Sequence, residues 1–226
     1  SNLPEDQIFD GILAGNAGTF RKFRGCGLRM AGDIPMNLYN AMSVYEAAKL
    51  GLESVALSLE LTVKQINTLS SSLISGPALE AAVYGRLPLM VSEYCPVGCV
   101  LGGYKGSSKC SGCCGEGRYL LKDRLGIEFP VLTDRLDCRS TILNSRVLFM
   151  AEGANSLKKA GISIFRLYIL DEEPEDVKEL VRLFRTAAAG GNGETSGSSS
   201  EALISKRISE RIKAAGYTKG HYYRGV

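Results

Sequence analysis

Short apolar runs alternate with amphipathic stretches along most of this chain, and the alternation predicts its elements. GILAG at 11–15 predicts a strand, and GLRMAG and MNLYN flank a second extended stretch. Ser43 and Glu46 stand at capping-box spacing, which predicts a helix running to Leu50 with Gly51 as its stop. The partly β-branched run SVALSLEL at 54–61 predicts a strand, and Thr62 with Gln65 caps the next helix in the same way. ALEAAVYGRLPLMVS at 78–92 reads as one long strand or as two joined at Gly85. FPVLTD at 129–134 is short and extended, whereas LNSRVLFM and the segment through Ala160 read as helical. GISIFRLYIL at 161–170 predicts a buried strand, and Pro174 fits the first turn of a helix to about Ala188.

Strand followed by helix, repeated, implies parallel pairing through right-handed crossovers, hence an α/β fold. About five such units fit, and a complete eight-unit barrel takes about 250 residues. The pattern therefore predicts part of a barrel or an open sheet, and alone does not choose between them. Residues 1–188 form its body, with a cysteine-rich insert at 93–138. The low-complexity stretch AAAGGNGETSGSSS makes 189–200 a flexible linker, and 201–226 carries a C-terminal helix and tail. That helix puts Ile204, Ile208 and Ile212 on one face and ends at Gly216. Its Lys206, Arg207, Arg211 and Lys213 make either a solvated face or an RNA-contacting one.

Composition narrows the chemistry. The 226 residues, 45% hydrophobic, suffice for the core of one domain. A net charge of +3 neither demands nucleic acid nor argues against it. No basic-then-apolar leader and no run near the ~18 apolar residues of a membrane span is present. The chain reads as cytoplasmic and free of membrane, although its lack of an initiator Met leaves a trimmed leader open. With one histidine, a Ser-His-Asp or Cys-His site has to be built around His221.

Thiols change the picture most. Six of the seven cysteines fall between Cys95 and Cys138 in a Gly-rich stretch. In a reducing compartment such clusters read as metal or catalytic sites, not disulfides. Cys95-x3-Cys99 with Cys110-x2-Cys113 has the spacing of two zinc knuckles. A [4Fe–4S] cluster also needs four thiolates, and spacing leaves the two readings even. Cys26, alone in RGCGLRM, reads as a small buried residue.

Several motifs then carry a resemblance. SEYCPVG at 92–98, KCSG at 109–112, LKDRLG at 121–126, Phe129-Pro130, ILNS at 142–145 and the ending YTKGHYYRGV resemble the collagenase-like peptidase family U32. The likeness runs from about Gly11 to the last residue. It implies the C-terminal portion of a TIM-barrel-like (β/α)8 barrel, either a fragment with a missing segment or one half completed by a dimer partner or another chain, because a half barrel leaves sheet edges unpaired. It also implies one of two activities: peptide-bond hydrolysis, or iron–sulfur-dependent hydroxylation of an RNA base or a small aromatic quinone precursor. The family's cluster cysteines match Cys95, Cys110, Cys114 and Cys138. Cys99 and Cys113 occupy positions where that pattern has a small residue and a proline. No GxSxG or HExxH motif supports hydrolysis.

Four further side chains are candidates for catalysis. Glu93 precedes Tyr94-Cys95 near a strand end, where a carboxylate orients substrate, shuttles a proton or forms a plain ion pair. Glu60 raises the same choice. Arg166, a charge inside an apolar strand, binds an anion or pairs structurally. His221, with Arg224, sits in an aromatic tail that either folds over the barrel mouth or only closes the core. Asn144 and Ser145 contact substrate or cap a helix. Three classes follow: a cluster-dependent modification enzyme, a peptidase acting on peptides, and a zinc-stabilised binding module without turnover.

Overall fold

A computed structural model describes residues 9–105, 110–115, 117–189 and 200–225. They form two compact units, one of residues up to Tyr84 and from Phe149, the other Gly85–Leu148. The predicted linker at 189–200 lies almost wholly outside the described residues.

The first unit is α/β. Strands β1 (Gly11–Ala14), β2 (Arg29–Gly32), β3 (Ser54–Ala56) and β4 (Ala78–Gly85) pair in sequence order, all parallel. Helices α1 (Ala17–Phe23), α2 (Ala41–Lys49) and α3 (Val63–Ser71) supply the crossovers. β10 (Ile164–Leu167) adds to β4 in parallel, and β9 (Val147–Phe149) and β11 (Tyr217–Thr218) extend the sheet from β4. α5 (Ala154–Lys159), α6 (Pro174–Ala188) and α7 (Ser200–Ala215) complete the unit. Val55, Leu61, Ile66, Val83, Leu157, Leu180, Leu183 and Ile208 are essentially inaccessible to solvent and form its core.

Caps follow local chemistry, with one shift of register. Thr62 and Gln65 make the predicted capping box of α3. α2 starts earlier than the Ser43–Glu46 spacing implies. Asn40 is its N-cap and Ser43 sits at the third helical position, returning a hydroxyl to the Asn40 N–H. Glu46 instead pairs with Lys49 at 2.9 Å.

Four other expectations are corrected. LNSRVLFM is not helical: its end is the short strand β9, and helix appears only from Ala154. The run at 54–61 keeps three strand residues and then turns toward α3, and the run at 161–170 keeps four, only partly buried. Among the described residues β10 pairs with β4 alone, so there one of its flanks has no strand to cover it. Cys26 is exposed, not buried, in the turn after α1.

The second unit is antiparallel. β5 (Pro88–Ser92), β6 (Tyr119–Lys122), β7 (Glu128–Thr133) and β8 (Ser140–Leu143) form a sheet in the order β5-β8-β7-β6. Thus the run at 78–92 is two strands of different sheets, broken at Gly85, whose φ of 115° suits only glycine. The short helix α4 (Pro96–Val100) packs Val97 on Val131 and Ile142, and Cys95, Cys113, Cys114, Tyr119 and Phe129 join that cluster.

Candidate functional site

The cysteines gather around the first turn of α4. Cys95 is its N-cap, and its Sγ accepts the Gly98 N–H at 3.2 Å. Cys110 Sγ accepts the Gly112 N–H at 3.4 Å. Both sulfurs crowd one glycine: a Cβ on Gly98 would stand 3.3 Å from Cys110 Sγ and 3.4 Å from Cys95 Sγ. A Cβ on Gly102 would lie 2.5 Å from Cys110 Sγ and 2.9 Å from the Gly98 carbonyl oxygen. These glycines are there for close approach.

The vicinal pair lies on the same side of the sheet. Cys113 Sγ makes a weak S–H contact with Val97 O at 3.9 Å, and Cys114 Sγ one with Gly112 O at 3.8 Å. The Tyr119 hydroxyl donates to Cys113 O at 2.6 Å, and the Thr133 hydroxyl to Cys114 O at 3.3 Å. Cys99, on α4, hydrogen-bonds Tyr94, and this contact first of all holds the Tyr94 phenol above its usual pKa.

Cys138 lies in the exposed turn between β7 and β8, with a left-handed φ of 56°. That turn reaches the cysteine loop at Gly115, where the Arg135 Nη1 lies 2.8 Å from where a Cβ would stand. Arg139 of the same turn donates to Glu93 at 3.2 Å. Among the described residues, no three His, Cys, Asp or Glu side chains converge on one ion-binding point. The donor chemistry nonetheless fits a thiolate-ligated centre: N–H groups support two sulfurs, and glycines keep space beside them.

The other candidates are dispersed. Glu93 is highly exposed and engaged by Arg139. Glu60 is exposed and belongs to the first unit. The Asn144 and Ser145 carbonyls accept from the Arg86 guanidinium, and Asn144 Oδ1 accepts the Arg146 N–H at 3.0 Å. His221 Nδ1 lies 2.9 Å from Gly225 O, within the tail itself. The tail docks into the first unit, where the buried Tyr222 hydroxyl donates to Ala82 O at 2.6 Å. The predicted basic face of α7 is largely engaged: Arg211 pairs with Asp176, Lys213 with Glu152 and Lys206 with Glu210.

Arg166 joins residues that sequence reasoning missed. Its guanidinium contacts Glu80 on β4 and Asp33 just after β2, and lies 3.3 Å from the Tyr168 hydroxyl. Burial works against the charge, but Tyr168, Glu80 and Asp33 outweigh it and hold the pKa above its usual value. One signal was available: Glu80 interrupts an apolar strand as Arg166 does.

The family model of peptidase family U32 matches residues 6–225. No curated protein and no solved structure gives a match.

Proposed function

The chain belongs to peptidase family U32, and from that membership we propose that it is an iron–sulfur-dependent enzyme of the hydroxylating type. The observation that carries this reading is the gathering of thiols on α4, two of them supported by backbone N–H groups. In this reading Cys95, Cys110, Cys114 and Cys138 hold a [4Fe–4S] cluster, which when bound supplies one-electron chemistry. The Gly98 and Gly112 N–H groups orient Cys95 and Cys110 and lower the charge on their sulfurs. Glu93, tied to Arg139, holds the β7–β8 turn and its Cys138 toward the start of α4. The substrate class is an RNA base or a small aromatic precursor.

The five strands β1-β2-β3-β4-β10 are, in the same reading, the later part of a barrel that a further segment of the protein, a second copy or another chain completes. Arg166 then braces three of its strands internally.

Peptide hydrolysis, the activity in the family's name, is the second reading. The zinc reading, with Cys95, Cys99, Cys110 and Cys113, draws on the Gly112 N–H inside the Cys110–Cys113 knuckle. The test compares nucleosides and quinone intermediates from cells lacking the chain with those from cells complemented by wild type or by Cys95→Ser. A hydroxylated product lost in both deficient strains and restored by wild type supports the proposal. Unchanged products, with gelatin cleaved by the purified protein, contradict it and favour the peptidase.

A further inference from the structure

Ser140 is fully buried, yet its hydroxyl has no hydrogen-bond partner among the described residues. Buried polar groups in native proteins are nearly always paired, and an orphan points to a partner that the described residues do not provide. The place of Ser140 indicates what that is. β8 runs through the sheet interior, with Ser140 opposite Ser92 on β5 and Thr133 on β7. The pairing from Ser140 to Ile142 is unbroken, so the period of two puts both side chains on one face.

This is the face on which Ile142 and Val131 carry Val97, Cys95, Cys113 and Cys114. The hydroxyls flanking Ser140 are both committed to the cysteine segments. Thr133 donates to the Cys114 carbonyl, and Ser92 accepts the Tyr94 N–H at 3.0 Å. Among the described residues, the Ser140 hydroxyl is left over.

We propose that the Ser140 hydroxyl donates a hydrogen bond to a sulfur of the thiolate centre assembled on this face; the inference rests on the thiolate-centre reading above. Sulfurs of such a centre are anionic acceptors, and hydrogen bonds to them favour the reduced, more negative form. Ser140 is a positioning and tuning group and not a metal ligand.

The test is Ser140→Ala in the full chain, read in two states. In metal-free protein the variant melts higher than wild type, because alanine leaves no hydroxyl unpaired. In loaded protein its midpoint potential falls. A tenfold loss of preference for the reduced form is about 59 mV for a one-electron couple. Co(II) titrated into the metal-free variant binds about tenfold more weakly, the size of effect expected for groups that orient ligands. Ser140→Thr, which keeps the hydroxyl, restores the potential. A lower melting temperature in both states with an unchanged potential shows that the hydroxyl is satisfied structurally, and overturns the proposal. Wild type that takes up neither iron and sulfide nor Co(II) overturns the thiolate-centre reading itself, a separately recognisable failure.

Discussion

Gly102 decides where one sulfur goes. A methyl group there meets both Cys110 Sγ and the backbone of Gly98, and backbone cannot move aside as a flexible side chain can. Gly102→Ala is expected to lose bound metal and to cost about 1–3 kcal/mol, as overpacking does; metal content and a urea melt read the two effects. Arg166 is the corresponding residue of the first unit. Its side chain is only 16% exposed, between Glu80 and Asp33. Arg166→Gln leaves two carboxylates without their cation and is expected to cost about 3–5 kcal/mol, as breaking a buried pair does. A loss under 1 kcal/mol in denaturant unfolding contradicts that role. Arg166 was legible as a charge in an apolar strand. Asp33 was not, because an acid just after a strand is ordinary loop chemistry. The cysteines were legible as a cluster, but their pairing with Gly98 and Gly112 depends on how the loop folds back.

Elements were legible where a local motif decides them. The Thr62–Gln65 box places the start of α3 because both halves of the motif lie within one turn. The Ser43–Glu46 spacing misleads because Asn40, an equally good cap, stands three residues earlier and takes Ser43 as its partner. β9 reads as helix because its three residues are too few to show a period; burial of Leu148 and Phe149 in the sheet decides it instead. α7 is anchored at its C-terminal end by Glu152, which takes Lys213 at 2.5 Å and Lys219 at 3.5 Å. The Lys213 hydrogen bond, ahead of a smaller opposing effect of burial, holds the Glu152 carboxyl below its usual range. A carboxyl depressed in the folded state adds stability above its unfolded pKa and loses it as pH falls through the folded value. Glu152 is half exposed, so the effect is small, about 0.5 kcal/mol or less. Glu152→Gln is therefore expected to lower stability slightly at neutral pH and to converge with wild type in acid. A gap that persists in acid contradicts the assignment.

At the scale of the whole molecule, the α/β character follows from the alternation of apolar runs with capped helices. The antiparallel unit was far less legible. Its strands are short, with β5 and β6 mostly exposed and β8 mostly buried along their length, so no clean alternation marks them. Family membership covers both units, and the proposed chemistry resides in the antiparallel one. No helix among the described residues is long and apolar enough to cross a membrane. The central claim is that the thiols of this unit hold an iron–sulfur cluster. Its most direct test is iron and sulfide content with a visible spectrum, on protein purified without oxygen. The account predicts about four irons and four sulfides per chain, with the broad visible absorption lost in Cys114→Ser and Cys138→Ser and kept in Cys99→Ser and Cys113→Ser. One zinc and no sulfide, with Cys99 and Cys113 required instead, contradicts it.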